Sequence, residues 1–272
     1  MTWHFNMSAE QELQTYKNQF NVELDGIEFL KTYYDPSDKP TYEINTQHMN
    51  DAIDVLKRRA VHGGRVLEIG CGPNIMNSLV TCSFFDEIYL SDFNLGMLKP
   101  LEDWVKGNVV GFDNSYMVNY IAKKMNISPN ELEKQTRLKI KKVLRSDIHL
   151  EQPVQSGHFF DGIITRFCVD SCSPNLSSYN KAIKNITNCL KNEGYFLQMG
   201  FFDHDSEGHT KGYWDIGSLR VEDLRLTKSQ VRLAVEDAGM KIVEWKERIH
   251  QQSTECDFKN TSSYTLLAQR VK

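Results

Sequence analysis

The chain has 272 residues, 40% of them apolar and 25% charged, a composition ordinary for a globular protein. Its length supports one α/β domain with a sizeable core. A formal net charge of -4, with basic residues scattered apart from the run Lys139-Ile140-Lys141-Lys142, argues against a nucleic-acid partner.

The first sixty residues read as helices over 8–20, 25–34 and 42–60, so residues 1–62 are expected to form an N-terminal helical cap. In the third helix Met49, Ile53, Val55 and Leu56 share a face, and His62-Gly63-Gly64 is expected to end it. The pattern then changes to short apolar runs. Strands are expected at 65–69, 87–90, 142–144, 160–165, 195–199, 241–245 and 263–268. Helices at 94–105, 177–190 and 228–238 separate several of them, and 106–141 reads as an insertion of one or two helices. Such alternation predicts one domain over residues 1–272, built on a mainly parallel sheet covered on both faces.

Six cysteines without regular spacing make no disulfide framework, and no histidine lies near Cys168 and Cys172 in sequence to complete a zinc site. Reduced thiols, no metal and a cytoplasmic location are expected. The start Met1-Thr2-Trp3-His4-Phe5 has no basic or apolar signal region, and no stretch reaches membrane-spanning length, so no membrane partner is expected.

The segment Val66-Leu67-Glu68-Ile69-Gly70-Cys71-Gly72-Pro73-Asn74 runs from a strand into a turn. Ligands of open parallel sheets bind at the carboxyl ends of the strands, and glycine there lets a ligand approach the backbone closely. The first carboxylate after the second strand is Asp92, about twenty residues on, a spacing that suits an acid bonded to the ribose hydroxyls of an adenosine. Taken alone, two glycines describe only a tight turn. A nicotinamide dinucleotide needs a third glycine to bring a helix N-terminus to its pyrophosphate, and Pro73, Asn74 and Ile75 follow instead. S-adenosylmethionine (SAM) has no phosphate, and Glu68 also suits its site, so the combination favours SAM.

Several ordered segments from about Tyr16 onward carry a family resemblance. They are Phe29-Leu30-Lys31-Thr32-Tyr33-Tyr34, the glycine turn, Ser91-Asp92-Phe93, Leu101-Glu102-Asp103-Trp104, Ser146-Asp147-Ile148, and the stretch from Phe167-Cys168-Val169-Asp170 to Pro174-Asn175-Leu176. The chain resembles the small-molecule amine N-methyltransferases, the family of the nicotinamide, phenylethanolamine and indolethylamine enzymes. The resemblance implies the class I SAM-dependent methyltransferase fold: a Rossmann-like seven-stranded sheet, its last strand antiparallel, under the helical cap. It implies that Tyr16, Phe29 and Tyr34 close over SAM. Gly70, Cys71, Gly72 and Asn74 would line its methionine side, Asp92 and Phe93 the ribose and adenine, and Asp147 and Ile148 the adenine amine and ring edge.

The chain departs from the family at four places. Met97 stands where the family has a ribose-binding asparagine, Met76 replaces a tyrosine, and Phe29 lacks a tyrosine hydroxyl. Arg166 occupies a position that is small in the family, beside the cofactor; it either faces outward or meets the SAM carboxylate. For the chemistry, Asp170 and Asp203 match family acids that bind a substrate ammonium and take its proton. Their plain alternatives are a turn-ordering residue and a solvated-loop residue. Tyr33, Phe167 and Phe201 are expected to stack a flat substrate or simply to pack, and His204 and His209 are weaker acid/base candidates. Gly200 resembles the phenylethanolamine branch, where the nicotinamide branch has an acid. The expectation is a monomeric methyltransferase acting on a small aromatic or aryl-alkyl amine, the alternative a catalytically silent SAM-binding protein. The stretch 203–225 is expected to form part of a lid over the substrate.

Overall fold

Val66, Leu67, Glu68 and Ile69 are all buried, so the first strand has no face for water and must lie inside a sheet covered on both sides. A computed structural model shows this arrangement and describes residues 8–21, 24–204, 211–216, 219–249 and 261–271. The N-terminal part holds α1 (Ala9–Asn18), a 3-10 turn (Gln19–Asn21), α2 (Gly26–Tyr33) and α3 (Lys39–Arg58). The sheet begins with β1 (Arg65–Ile69), α4 (Met76–Thr81), β2 (Glu87–Asp92) and α5 (Leu95–Val105). Two inserted helices follow, α6 (Ser115–Met125) and α7 (Pro129–Lys139), then β3 (Ile140–Arg145), β4 (Phe160–Arg166) and α8 (Leu176–Thr187). The chain closes through β5 (Leu190–Asp203), a hairpin of β6 (Lys211–Ile216) and β7 (Leu219–Leu224), α9 (Lys228–Asp237), β8 (Met240–Ile249) and β9 (Thr261–Arg270).

Seven strands form the main sheet in the order β3-β2-β1-β4-β5-β9-β8. The first five are mutually parallel, and β9 runs antiparallel to both neighbours. This is the expected Rossmann-like sheet, with the last strand reversed. Alternation along β1 sorts its side chains: Val66 joins one apolar layer under α3 to α7, and Leu67 and Ile69 join the other, under α8 and α9. Strand order reverses between β1 and β4, which opens a crevice at their carboxyl ends.

Two local outcomes differ from the expectation, the end of α3 and the hairpin β6–β7, and the insertion takes one of its two expected forms. Helix α3 stops at Arg58, before His62-Gly63-Gly64. Ala60 takes the left-handed position (φ 50°), Val61 N–H returns to the Leu56 carbonyl (3.1 Å) and Ala60 N–H to that of Lys57 (3.1 Å), a complete Schellman cap without glycine. The insertion is two helices, with Met117 and Ile121 in the core beside α3 and α4. The hairpin β6–β7 was not foreseen: its alternating Trp214, Ile216, Leu219 and Val221 were masked by a charged, loop-like stretch.

Candidate active site

Gly70 and Gly72 both adopt left-handed backbone (φ 66° and 56°) as β1 ends. A Cβ on Gly70 would stand 2.5 Å from Cys168 Cβ, so only glycine lets β1 pass β4's extension so closely. A Cβ on Gly72 would meet nothing nearer than Asn74 Nδ2 and Phe29 Cε1, both at 3.8 Å, and would project into open space. Asn74 is buried; its amide donates to the Cys71 carbonyl (2.9 Å) and its oxygen accepts from Met76 N–H (3.1 Å), joining the turn to α4. Glu68 lies behind the turn, accepting from Asn77 Nδ2 (2.8 Å), and does not line the crevice. Burial pushes its pKa up to about 8.

The crevice is a cavity of about 550 Å³, within the range of small-molecule and cofactor sites. Asp92, at the end of β2, forms one wall: its oxygens accept from Gly72 N–H (2.9 Å) and Asn94 N–H (2.9 Å), and the Phe93 main-chain N–H also bonds the carboxylate. Burial raises its pKa, against these backbone donors. Phe93, Met97, Asp147 and Ile148 continue that wall, with Phe29 and Tyr34 above. Asp147 accepts from His149 N–H (3.0 Å) and pairs with Lys17 of α1. The cap is further tied down where Asn94 donates to the Phe20 carbonyl (2.8 Å).

Arg166, the last residue of β4, turns inward. It is buried and lines the cavity, donating from Nε to His48 Nδ1 (3.0 Å), from Nη1 to Tyr34 Oη (2.9 Å) and from Nη2 to Asn45 Oδ1. All three acceptors are neutral, and among the described residues no carboxylate lies within ion-pair distance of it. Five donors less three engaged leaves two N–H groups. Asn45 and His48 went unnoticed in the sequence because they belong to an ordinary amphipathic helix, α3.

Phe167 follows in a left-handed conformation (φ 50°) that a bulky side chain adopts at a cost of about 1–3 kcal/mol. It is held by stacking on Phe201 (4.8 Å, 22°) and by the Arg166 guanidinium over its ring (4.5 Å). Tyr33 also lines the cavity; its hydroxyl donates to the Asp215 carbonyl (2.7 Å) and accepts from Asp215 N–H (2.9 Å), joining α2 to β6. Trp214 packs edge-on against Phe29 and Tyr33, and the hairpin also adds Tyr213, Asp215 and Asp223 to the lining, with Arg225 just beyond. Asp170 is buried at the same end.

Two expected residues stand elsewhere. Tyr16 does not line the cavity: its hydroxyl donates to the carbonyls of Ser171 (3.0 Å) and Glu222, so it ties the cap to the segments below. Asp203 does not line it either; at the far end of β5 its N–H donates to the Leu226 carbonyl (2.8 Å). A Cβ at Gly200 would meet the Tyr264 ring at 3.2 Å, so that ring fills the space an acid would need. His204 bonds Ser262 Oγ (2.8 Å), and His209 lies outside the described residues. Among the described residues no cluster of His, Cys, Asp or Glu could hold a metal, and no helix is long and apolar enough to cross a membrane.

Comparison with known proteins agrees with this geometry. Human nicotinamide N-methyltransferase is 27% identical over 94% of this chain and 95% of its own length. Pig phenylethanolamine N-methyltransferase is 27% identical over 67% of this chain and 64% of its own. Among solved structures, the magnesium protoporphyrin IX methyltransferase of Synechocystis PCC 6803 with bound SAM superposes over 98% of this chain and 100% of its own (TM-score 0.57, 12% identity). The [4+2]-cyclase SpnF superposes over 82% of this chain and 80% of its own (TM-score 0.53, 14% identity), so the fold alone does not decide the reaction. The fold is that of the class I SAM-dependent methyltransferases, and the model of the NNMT/PNMT/TEMT family matches residues 11–271. The chain belongs to that methyltransferase family.

Proposed function

We propose that this chain transfers the methyl group of SAM to the nitrogen of a small aromatic or aryl-alkyl amine. The observation that carries the reading is the cavity itself, which joins the glycine turn and Asp92 at one end to Asp170 among aromatic walls at the other. The residues fit the cofactor. Gly72 leaves open the space that a Cβ would fill, and Asp92, which lines the cavity, keeps acceptor capacity for a ribose hydroxyl beside its three backbone donors. Phe93, Met97 and Ile148 offer apolar faces to an adenine, with Asp147 at its edge. Gly70, Cys71, Asn74, Phe29 and Tyr34 border the methionine end, where the two remaining Arg166 N–H groups suit its carboxylate. When bound, SAM supplies an electrophilic methyl on a sulfonium that leaves as a neutral thioether.

The protein's share of the work is positioning, which can be worth about 7–11 kcal/mol. Tyr33, Phe167 and Phe201 form flat walls that orient a ring, and Asp170 holds the amine and accepts its proton. In the same reading Asp203, which does not line the cavity, takes no part in the transfer, and Tyr16 anchors the cap rather than touching SAM. The chain acts as one domain and as a cytoplasmic monomer, on neither nucleic acid nor membrane. In this reading α1, α2 and α3 are its cap, and α6 and α7 its insertion.

Met97 in the ribose wall, where the relatives' pattern has a polar side chain, favours keeping a silent SAM-binding protein as the second reading. Calorimetry with SAM and S-adenosylhomocysteine tests the cofactor; no saturable binding sinks both readings. A labelled-methyl screen against aryl-alkyl amines, indole amines and pyridines then separates enzyme from silent binder.

A further inference from the structure

Three contacts bring the segment after β4 against β7. Tyr16 Oη donates to the carbonyls of both Ser171 and Glu222, Leu224 N–H donates to the Asp170 carbonyl (3.3 Å), and Ser171 Oγ donates to Asp223 Oδ1 (2.7 Å). The residues so aligned, Asp170 and Asp223, both line the cavity. Asp170 accepts from its own and Ser171's main-chain N–H, and Asp223 Oδ2 takes no hydrogen bond among the described residues. Arg225 lines the same end of the cavity, with its guanidinium over Gly212 of β6. The Arg225 guanidinium acts on both acids through charge. The aromatic faces of Phe167, Phe201 and Trp214 line the same space.

We infer that Asp223 is the partner of Asp170 in a two-carboxylate receptor for a substrate ammonium, so that the chain selects a cationic amine over a neutral pyridine. This rests on the methyltransferase reading and deepens it. Two carboxylates on one wall attract an ammonium and not a neutral ring, and a cation beside aromatic side chains gains further attraction. An isolated acid pair resists double ionisation. Burial raises Asp170 well above the usual carboxylate range, Asp223 pushes it further, Asp223 is itself raised by burial, and Arg225 draws both down. The other titratable groups near the pair, Cys172 and the phenols of Tyr16, Tyr179 and Tyr264, are all pushed toward their protonated forms. A bound ammonium therefore supplies the charge that keeps the pair ionised.

The test is calorimetry on the S-adenosylhomocysteine complex at neutral pH. The probes are 2-phenylethylamine as the cation and nicotinamide as the neutral pyridine. Asp223→Asn is expected to weaken 2-phenylethylamine about ten- to hundredfold, the loss of a charge-assisted contact, with S-adenosylhomocysteine and nicotinamide unchanged. Equal weakening of both probes, or of neither, overturns the inference while the cofactor reading stands. Failure of the wild type to bind S-adenosylhomocysteine overturns both. Should the variant not fold, the wild-type complex is compared with 2-phenylethylamine and the uncharged 2-phenylethanol. At least about tenfold preference for the amine is expected, and equal affinity, or no binding of the amine, overturns the inference.

Discussion

Replacing Arg166 by methionine keeps much of the side-chain volume and removes the guanidinium. Three hydrogen bonds, to His48, Tyr34 and Asn45, go with it. At about 1 kcal/mol each, their loss costs about 3 kcal/mol of stability, offset in part because a buried cation no longer has to be kept from water. For ligands the charge decides. The two N–H groups not engaged by protein are assigned to the methionine carboxylate of SAM, and a hydrogen bond to a charged group contributes about 1.5–3 kcal/mol. Arg166→Met should therefore weaken S-adenosylhomocysteine about 10- to 150-fold. 5′-Methylthioadenosine, which has the adenosine and no carboxylate, should bind both proteins alike. Calorimetry with the two ligands reads this ratio directly, and thermal unfolding checks that the variant is folded. If the ratio of the two affinities does not change, Arg166 is not reading the carboxylate and its role is only to hold α3 against β4.

Glu68 has a folded pKa of about 8 against an ordinary 4.5, so the folded protein keeps a proton that the unfolded chain gives up. Its contribution to stability is complete below about pH 4.5 and is lost as the pH rises toward about 8. Glu68→Gln should melt progressively higher relative to wild type as the pH is raised across that window, and parallel melting curves would count against the assignment. Gly70→Ala should be destabilised, by about 1–2 kcal/mol for the left-handed backbone and about 1–3 kcal/mol for overpacking on Cys168, and Gly70→Ala/Cys168→Gly should recover part of the loss. Unfolding midpoints in urea decide that case. Asp170→Asn should raise KM for a cationic amine far more than Asp203→Ala does, because only Asp170 lines the cavity; the reverse order would return the proton to Asp203.

Sheet strands and most helices could be read locally, because each element advertises its own burial. Val66 to Ile69 are apolar enough to demand two covers, and Ser8, Asp25, Asn175 and Thr227 cap helices that begin beside them. The cofactor end of the cavity was legible for the same reason. Gly70, Gly72 and Asp92 sit at strand ends, and strand ends in this topology converge. Where α3 ends was not legible, since Ala60 adopts a conformation that its side chain does not advertise.

The amine end depended on contacts between distant segments. The hydroxyls of Tyr16 and Tyr33 are both spent on backbone groups of the hairpin β6–β7, and of the two only Tyr33 lines the cavity. Asp203 follows a strand as a catalytic acid would, but the end of β5 carries it away from the cavity, and Asp223 arrives from a hairpin with no motif to announce it. Arg166 could have faced either way; the neutral acceptors Tyr34, just after α2, and Asn45 and His48 of α3 turn it inward. The sequence by itself determined the sheet and the glycine turn with its acid, because those depend on neighbours in the chain. Which carboxylates face the amine, and where the buried guanidinium points, was decided only by tertiary packing, because the partners lie up to 206 residues apart.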